Sequence, residues 1–192
     1  SATGSVNPVE MVDVGTQVSG TIKEIYVDYN SRVTKGQLVA MLDTDMLQSR
    51  VDEARASLAL AQARVTSARA SAADADRTFR RNKELWERNL IARSELDAAE
   101  TKLSLARASL AEHNAQVVQA KASLKQAETS LGYARIVSPV DGVVIARKVD
   151  VGQTVAASLQ TPTLFSIARD LTRMQIEASV DEADIGRDRK ST

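Results

Sequence analysis

Between Leu47 and Leu131 the apolar residues fall at alternating steps of four and three, twice over, with one short interruption near the middle. The ascending run goes from Leu47, Val51 and Ala54 through Leu58, Ala61, Val65, Ala68, Ala72 and Ala75 to Phe79, Asn82 and Trp86. The descending run goes from Leu96, Ala99, Leu103 and Ala106 through Leu110, His113 and Val117 to Ala120, Leu124, Ala127 and Leu131. Such spacing is a coiled-coil seam, narrower than the stripe of an ordinary surface helix. Folding one run back on the other so that Trp86 faces Leu96 keeps every later pair in step. Leu58 then meets Leu124, Val65 meets Val117 and Phe79 meets Leu103, alternating with small layers such as Ala54 with Ala127, Ala61 with Ala120 and Ala75 with Ala106. Small layers let the backbones approach, and large ones supply roughly 1.5–3 kcal/mol per fully buried side chain. The pattern predicts one antiparallel helical hairpin, with limbs of about 40 residues and roughly 60 Å.

The flanks have a different period. Val6, Val9, Met11 and Val12, with Pro8 among them, predict one short strand at the start. Residues 15–43 carry β-branched side chains, glycines at Gly15, Gly20 and Gly36, and a turn-prone run from Asp28 to Ser31, which predicts several short strands. Sliding this segment along the chain until Val18 falls on Val140 brings Gly20 onto Gly142, Val27 onto Val149, Asp28 onto Asp150, Val33 onto Val155 and Leu42 onto Leu164, with Ile22 on Val144. Asn30 falls on Gly152, and both residue types tolerate the left-handed conformation of a tight turn. Two copies, each too small to close a core, are expected to form the halves of one β-sandwich, with the hairpin inserted between them. Asp43-Thr44-Asp45 supplies acceptors to cap the hairpin's first turn, and Gly132 just past Leu131 marks its expected end.

These residues carry a resemblance. Val18-Ser19-Gly20-Thr21-Ile22, Val27, Val33 and Gly36-Gln37-Leu38, together with Ile136 to Val144 and Gly152-Gln153-Thr154-Val155, resemble the split lipoyl domain of bacterial membrane fusion proteins, the periplasmic adaptors (HlyD family) of tripartite efflux pumps. The tail from Met174 to Gly186 is similar to the barrel segment of adaptors serving macrolide-type ABC exporters. The resemblance implies an α+β chain in which a long antiparallel coiled-coil hairpin (44–134) is inserted in a lipoyl-like sandwich (14–43 with 135–168). Residues 1–13 and 169–192 are expected to form a partial β-barrel, completed, like a membrane-proximal domain, by sequence outside this chain.

Composition narrows the chemistry. Twenty-five basic and 25 acidic residues cancel, and they are interspersed, so no nucleic-acid partner is expected. No apolar run approaches the ~18–20 residues of a membrane span, and cysteine is absent. A lipoyl-like fold raises the possibility of a carrier lysine, but no Met-Lys-Met or similar tip occurs near Met41 or Met46. The single histidine, His113, lies on the seam opposite Ala68 without further ligands at helical spacing, and Met11, Met41, Met46 and Met174 are scattered. Asp181, Glu182 and Asp184 suggest the start of a helix. No enzymatic activity, metal or cofactor is expected.

The interruption at Glu87 to Arg93 is the candidate site. Asn89 offers a turn there, and Leu90 and Ile91 are apolar where the apex must be exposed. The resemblance implies a tip made of an arginine, a leucine four residues later and a serine seven beyond that, which engages the outer-membrane channel. Arg81 and Leu85 match the first two, the third falls on Ala92, and the nearest serine is Ser94, which with Asp97 is expected to cap the second helix. The partners so implied are an inner-membrane transporter, of ABC type or, failing that, proton-driven, an outer-membrane channel, and further copies of the chain in a ring of six. The location implied is the periplasm, with an inner-membrane anchor in the full-length protein. The competing reading is a static coiled-coil tether with no conduit role.

Overall fold

The computed structural model describes residues 3–8, 10–157, 162–169 and 174–179. It divides into two units, 45–131 and the remainder.

The first unit is the helical hairpin. Helix α1 is Asp45–Glu87 and α2 is Arg93–Tyr133. No glycine or proline interrupts the chain from Asp45 to Leu131, and alanine, leucine, glutamine and long charged residues fill it, so both helices run unbroken. The seam lies where the periodicity places it. Val51, Ala61, Val65, Ala68, Ala72 and Ala75 of α1 are buried, as are Leu96, Ala99 and Leu103 of α2, and the remaining seam positions are half-buried apart from Trp86. Asp76 and Arg107, each one residue past the paired Ala75 and Ala106, form a 3.0 Å ion pair between the helices. Asp76 also takes Arg80 at 2.8 Å. Two helices cannot enclose their seam on both sides, so a groove of about 720 Å³ runs along one face, floored by Ala54, Ala61, Ala120 and Ala127. The first helix opens directly after Thr44. The second runs through Gly132 to Tyr133. Gly132, expected to stop it, does not take a left-handed φ and so does not act as a cap.

In the second unit the expected single strand at the start is two strands, β1 (Thr3–Pro8) and β2 (Met11–Gly15). They are followed by β3 (Gly20–Ile25), β4 (Arg32–Val33), β5 (Leu38–Leu42), β6 (Arg135–Val137), β7 (Gly142–Arg147), β8 (Thr154–Val155), β9 (Thr163–Ala168) and β10 (Met174–Ser179). Strands β1 and β10 pair antiparallel, Thr3 opposite Ser179. The others form two four-stranded antiparallel sheets, ordered β2-β9-β7-β4 and β6-β5-β3-β8. Each sheet takes strands from both halves of the repeat, so neither half has a sheet of its own.

The repeat is visible bond by bond. The Asn30 amide donates to the Val144 carbonyl at 2.8 Å, and its counterpart, the Gly152 amide, donates to the Ile22 carbonyl at 2.8 Å. The Val144 amide donates to Ser31 at 3.0 Å, matched by Ile22 to Gln153 at 2.9 Å. Asn30 (φ 64°) and Gly152 (φ 85°) both occupy the left-handed region, as their residue types predicted. The buried hydroxyls of Thr16 and Ser138 donate to the carbonyls of Val18 and Val140. One expected match does not hold. Leu42 pairs with Ile22, whereas Val144, the counterpart of Ile22, pairs with Ile167. Leu42 therefore corresponds to Ile167 and not to Leu164, because the second copy has three more residues ahead of its last strand. Ile22, Val39, Leu42, Val144, Leu164, Phe165 and Ile167 make the closed core.

Candidate functional site

The hairpin's apex is a short turn held by backbone geometry. The Asn89 amide donates to the Trp86 carbonyl at 2.8 Å and the Leu90 amide to the Leu85 carbonyl at 2.9 Å. This is the paired closure of a Schellman motif, with Asn89 at φ 58° in the position usually given to glycine. An asparagine adopts it at little cost because its short polar side chain tolerates the left-handed region. The Leu85 and Trp86 carbonyls near the end of α1 are thereby satisfied, and the chain reverses within five residues.

The sequence-predicted residues are distributed around this turn. Leu85 is half-buried and its carbonyl closes the turn on Leu90, which remains 65% exposed. Ile91 is half-buried. Arg81, one helical turn below Leu85, is exposed, and its guanidinium has no ion-pair partner among the described residues. Ala92 and Ser94 are exposed at the start of α2.

The expected cap does not form. Because α2 begins at Arg93, the N-cap position belongs to Ala92, whose methyl group accepts no hydrogen bond, and Ser94 lies inside the first turn. The Asp97 carboxylate is taken by Arg93 Nε at 3.1 Å. The start of α2 is instead tied by main-chain and cross-limb contacts. The Glu95 amide donates to the Ala92 carbonyl at 3.1 Å, and Asn82 Nδ2 reaches the Glu95 carbonyl at 3.5 Å.

Two contributors escaped the sequence reading. Trp86, placed on the seam against Leu96, is 36% exposed, and the Arg93 guanidinium lies over its ring, 5.3 Å from the centroid. Arg93 and Trp86 sit on opposite sides of the interruption, so only the turn's geometry brings them together. The signal available was Asn89, whose left-handed preference sets the turn.

Away from the apex, His113 is half-buried, as a space-filling seam residue should be, and its Nδ1 lies 3.2 Å from Gln116 Oε1. Among the described residues no cluster of histidine, cysteine and acidic side chains is placed to hold a metal, and no helix is long and apolar enough to cross a membrane. The acidic run at Asp181, Glu182 and Asp184 lies outside the described residues. In the sandwich, Arg147 bridges the two equivalent turns through Asp28 (3.2 Å) and Asp150. The Tyr29 amide first, and Arg147 second, hold the Asp28 carboxyl below its ordinary range.

Residues 10–166 match the family described as RND MFP, barrel-sandwich hybrid domain. Over 96% of its length the chain is 38% identical to the macrolide export protein MacA of Yersinia pestis, covering 49% of that protein. It is 36% identical to the pyoverdine export membrane fusion protein PvdR of Pseudomonas aeruginosa over 97% of its length, covering 48% of that protein. Among solved structures, MacA from Actinobacillus actinomycetemcomitans superposes with a TM-score of 0.85 at 35% identity, over 96% of this chain and 57% of that one. The chain thus spans about half the length of the curated relatives it matches.

Proposed function

The chain belongs to the membrane fusion protein family, and from that premise we propose that the whole protein is a non-enzymatic periplasmic adaptor, coupling an inner-membrane transporter to an outer-membrane channel. We take the transporter to be of the ABC class, with a proton-driven one as the alternative; the relatives are named for macrolide and pyoverdine export. The adaptor is anchored at the inner membrane, and residues 1–13 and 169–192 contribute to its β-barrel. Six hairpins stand side by side, and their apices meet the channel so that an exported small molecule crosses the periplasm enclosed.

The observation that carries this reading is the apex. Helices of 43 and 41 residues end in a turn closed by backbone hydrogen bonds, presenting Leu90 and the exposed Arg81 to solvent. At 1.5 Å per residue such helices are roughly 60 Å long, a reach that no site in a compact domain needs. The paired seam buries Val51, Val65, Leu96 and Leu103, and at the apex Leu90 is the most exposed of the large apolar side chains.

The test is complementation of a strain lacking the gene with full-length protein, wild type or carrying Arg81→Ala with Leu85→Ala, using macrolide susceptibility as the readout. An adaptor loses resistance while the double variant remains folded and abundant. A static tether is indifferent to both substitutions, and undiminished resistance would reject the conduit role.

A further inference from the structure

We propose that Arg93 is a positioning residue for the apex: it braces the end of α1 against the start of α2 and thereby holds Leu90 and its neighbours in the form that docks. This rests on the adaptor reading above.

The turn from Arg88 to Ala92 has little else to hold it across the limbs. Leu90 is mostly in solvent, Ala92 provides no cap, and the Asn82 to Glu95 bond is at the limit of hydrogen-bond length at 3.5 Å. Arg93 makes two contacts in opposite directions. Its guanidinium covers the Trp86 ring in the last turn of α1, and its Nε binds the Asp97 carboxylate one turn along α2. A planar guanidinium can stack on a ring and fork toward a carboxylate at once, which the point charge of a lysine cannot do. One indole face is thereby covered, and the apolar side chain left most exposed at the apex for a partner is Leu90. At an exposed site the cation–π contact shifts a local equilibrium by roughly two- to five-fold and the i,i+4 ion pair by about two-fold, enough to decide how firmly the start of α2 is held against the capped end of α1 before docking.

A positioning residue leaves a kinetic signature. Losing it lowers the fraction of free protein that is competent to bind, so the association rate falls by that fraction while the complex, once formed, dissociates as before. Losing a contact residue mainly speeds dissociation. The experiment is surface plasmon resonance of the full-length adaptor on its purified outer-membrane channel, for wild type, Arg93→Ala, Arg93→Lys, Asp97→Asn and Arg81→Ala with Leu85→Ala. Helical circular dichroism is recorded on each. Trp86 is the chain's only tryptophan, so its fluorescence reports the brace directly.

The expected result for Arg93→Ala is altered Trp86 emission, unchanged helicity, an association rate lower by about three- to ten-fold and a dissociation rate within about two-fold of wild type. Arg93→Lys recovers part of that loss, and Asp97→Asn shows a smaller loss of the same kind. An unchanged association rate in Arg93→Ala, or a loss confined to dissociation, overturns the positioning role even where the Arg81 and Leu85 variant binds poorly. If that variant also binds as wild type does, it is the adaptor reading of the apex that fails. Should Arg93→Ala lose helicity, Asp97→Asn decides on the same criterion.

Discussion

Gly142 lies against the backbone of Ala168 so closely that a Cβ on the glycine would run into the Ala168 carbonyl and the Ile167 side chain. Its counterpart in the repeat, Gly20, has room: a Cβ there would sit 3.6 Å from Leu42 Cβ, in ordinary contact. The two glycines match in sequence, but only one is required by packing. Gly142→Ala is expected to destabilise the sandwich by about 1–3 kcal/mol through overpacking, and Gly20→Ala to change it by less than about 0.5 kcal/mol. Urea unfolding followed at the sandwich measures both; equal effects would mean that the strand β7 to β9 approach is looser than described.

The seam makes a harsher prediction. Leu103 is 5% exposed on α2, and Leu103→Asp would bury a carboxylate with no partner, at a cost of roughly 3 kcal/mol or more. The hairpin should lose most of its helical circular dichroism at ambient temperature while the interleaved sheets keep their amide protection. Full helicity in this variant would contradict the layer pairing of Phe79 with Leu103.

At the apex, Ala92→Ser supplies the missing N-cap and should raise hairpin stability by about 0.5–2 kcal/mol, read as an upward shift in thermal unfolding. Ser94→Ala, inside the first turn, should stay within about 0.5 kcal/mol of wild type. The reverse ranking would place the start of α2 two residues later than Arg93.

These contrasts mark how far sequence carried the fold and the site. Periodicity placed the seam nearly residue by residue, because a two-helix pair has one solution that buries Val51, Val65 and Leu103 together. Self-similarity found the duplicated turn, since Asn30 and Gly152 must share a backbone conformation whatever surrounds them. It could not show that β4 pairs with β7 and β3 with β8, because likeness between copies says nothing about which copy a strand bonds to. It also mismatched Leu42, an identity that three extra residues make accidental. Of the apex, the turn at Asn89 was legible, whereas the Arg93 brace and the empty cap at Ala92 depend on where α2 starts, and a shift of one or two residues there changes every role.

Arg147 ties the two copies through charge. The Asp28 carboxyl is depressed by the Tyr29 amide and then by Arg147, so its folded value lies below its unfolded one. Its contribution to stability is therefore present above about pH 4 and lost as pH falls through the folded value. Arg147→Met should raise the Asp28 midpoint in a carboxyl NMR titration without restoring it fully, since the Tyr29 bond remains. No movement would show that the guanidinium does not hold that carboxylate in solution.

The most direct test of the adaptor account is photocrosslinking in living cells, with a benzophenone amino acid at position 90 of the full-length protein and, as a control, at Glu112 midway along α2. The account predicts that position 90 captures an outer-membrane channel and that position 112 does not. Capture at 112 alone, or no channel adduct at 90 in cells that still export, would contradict it.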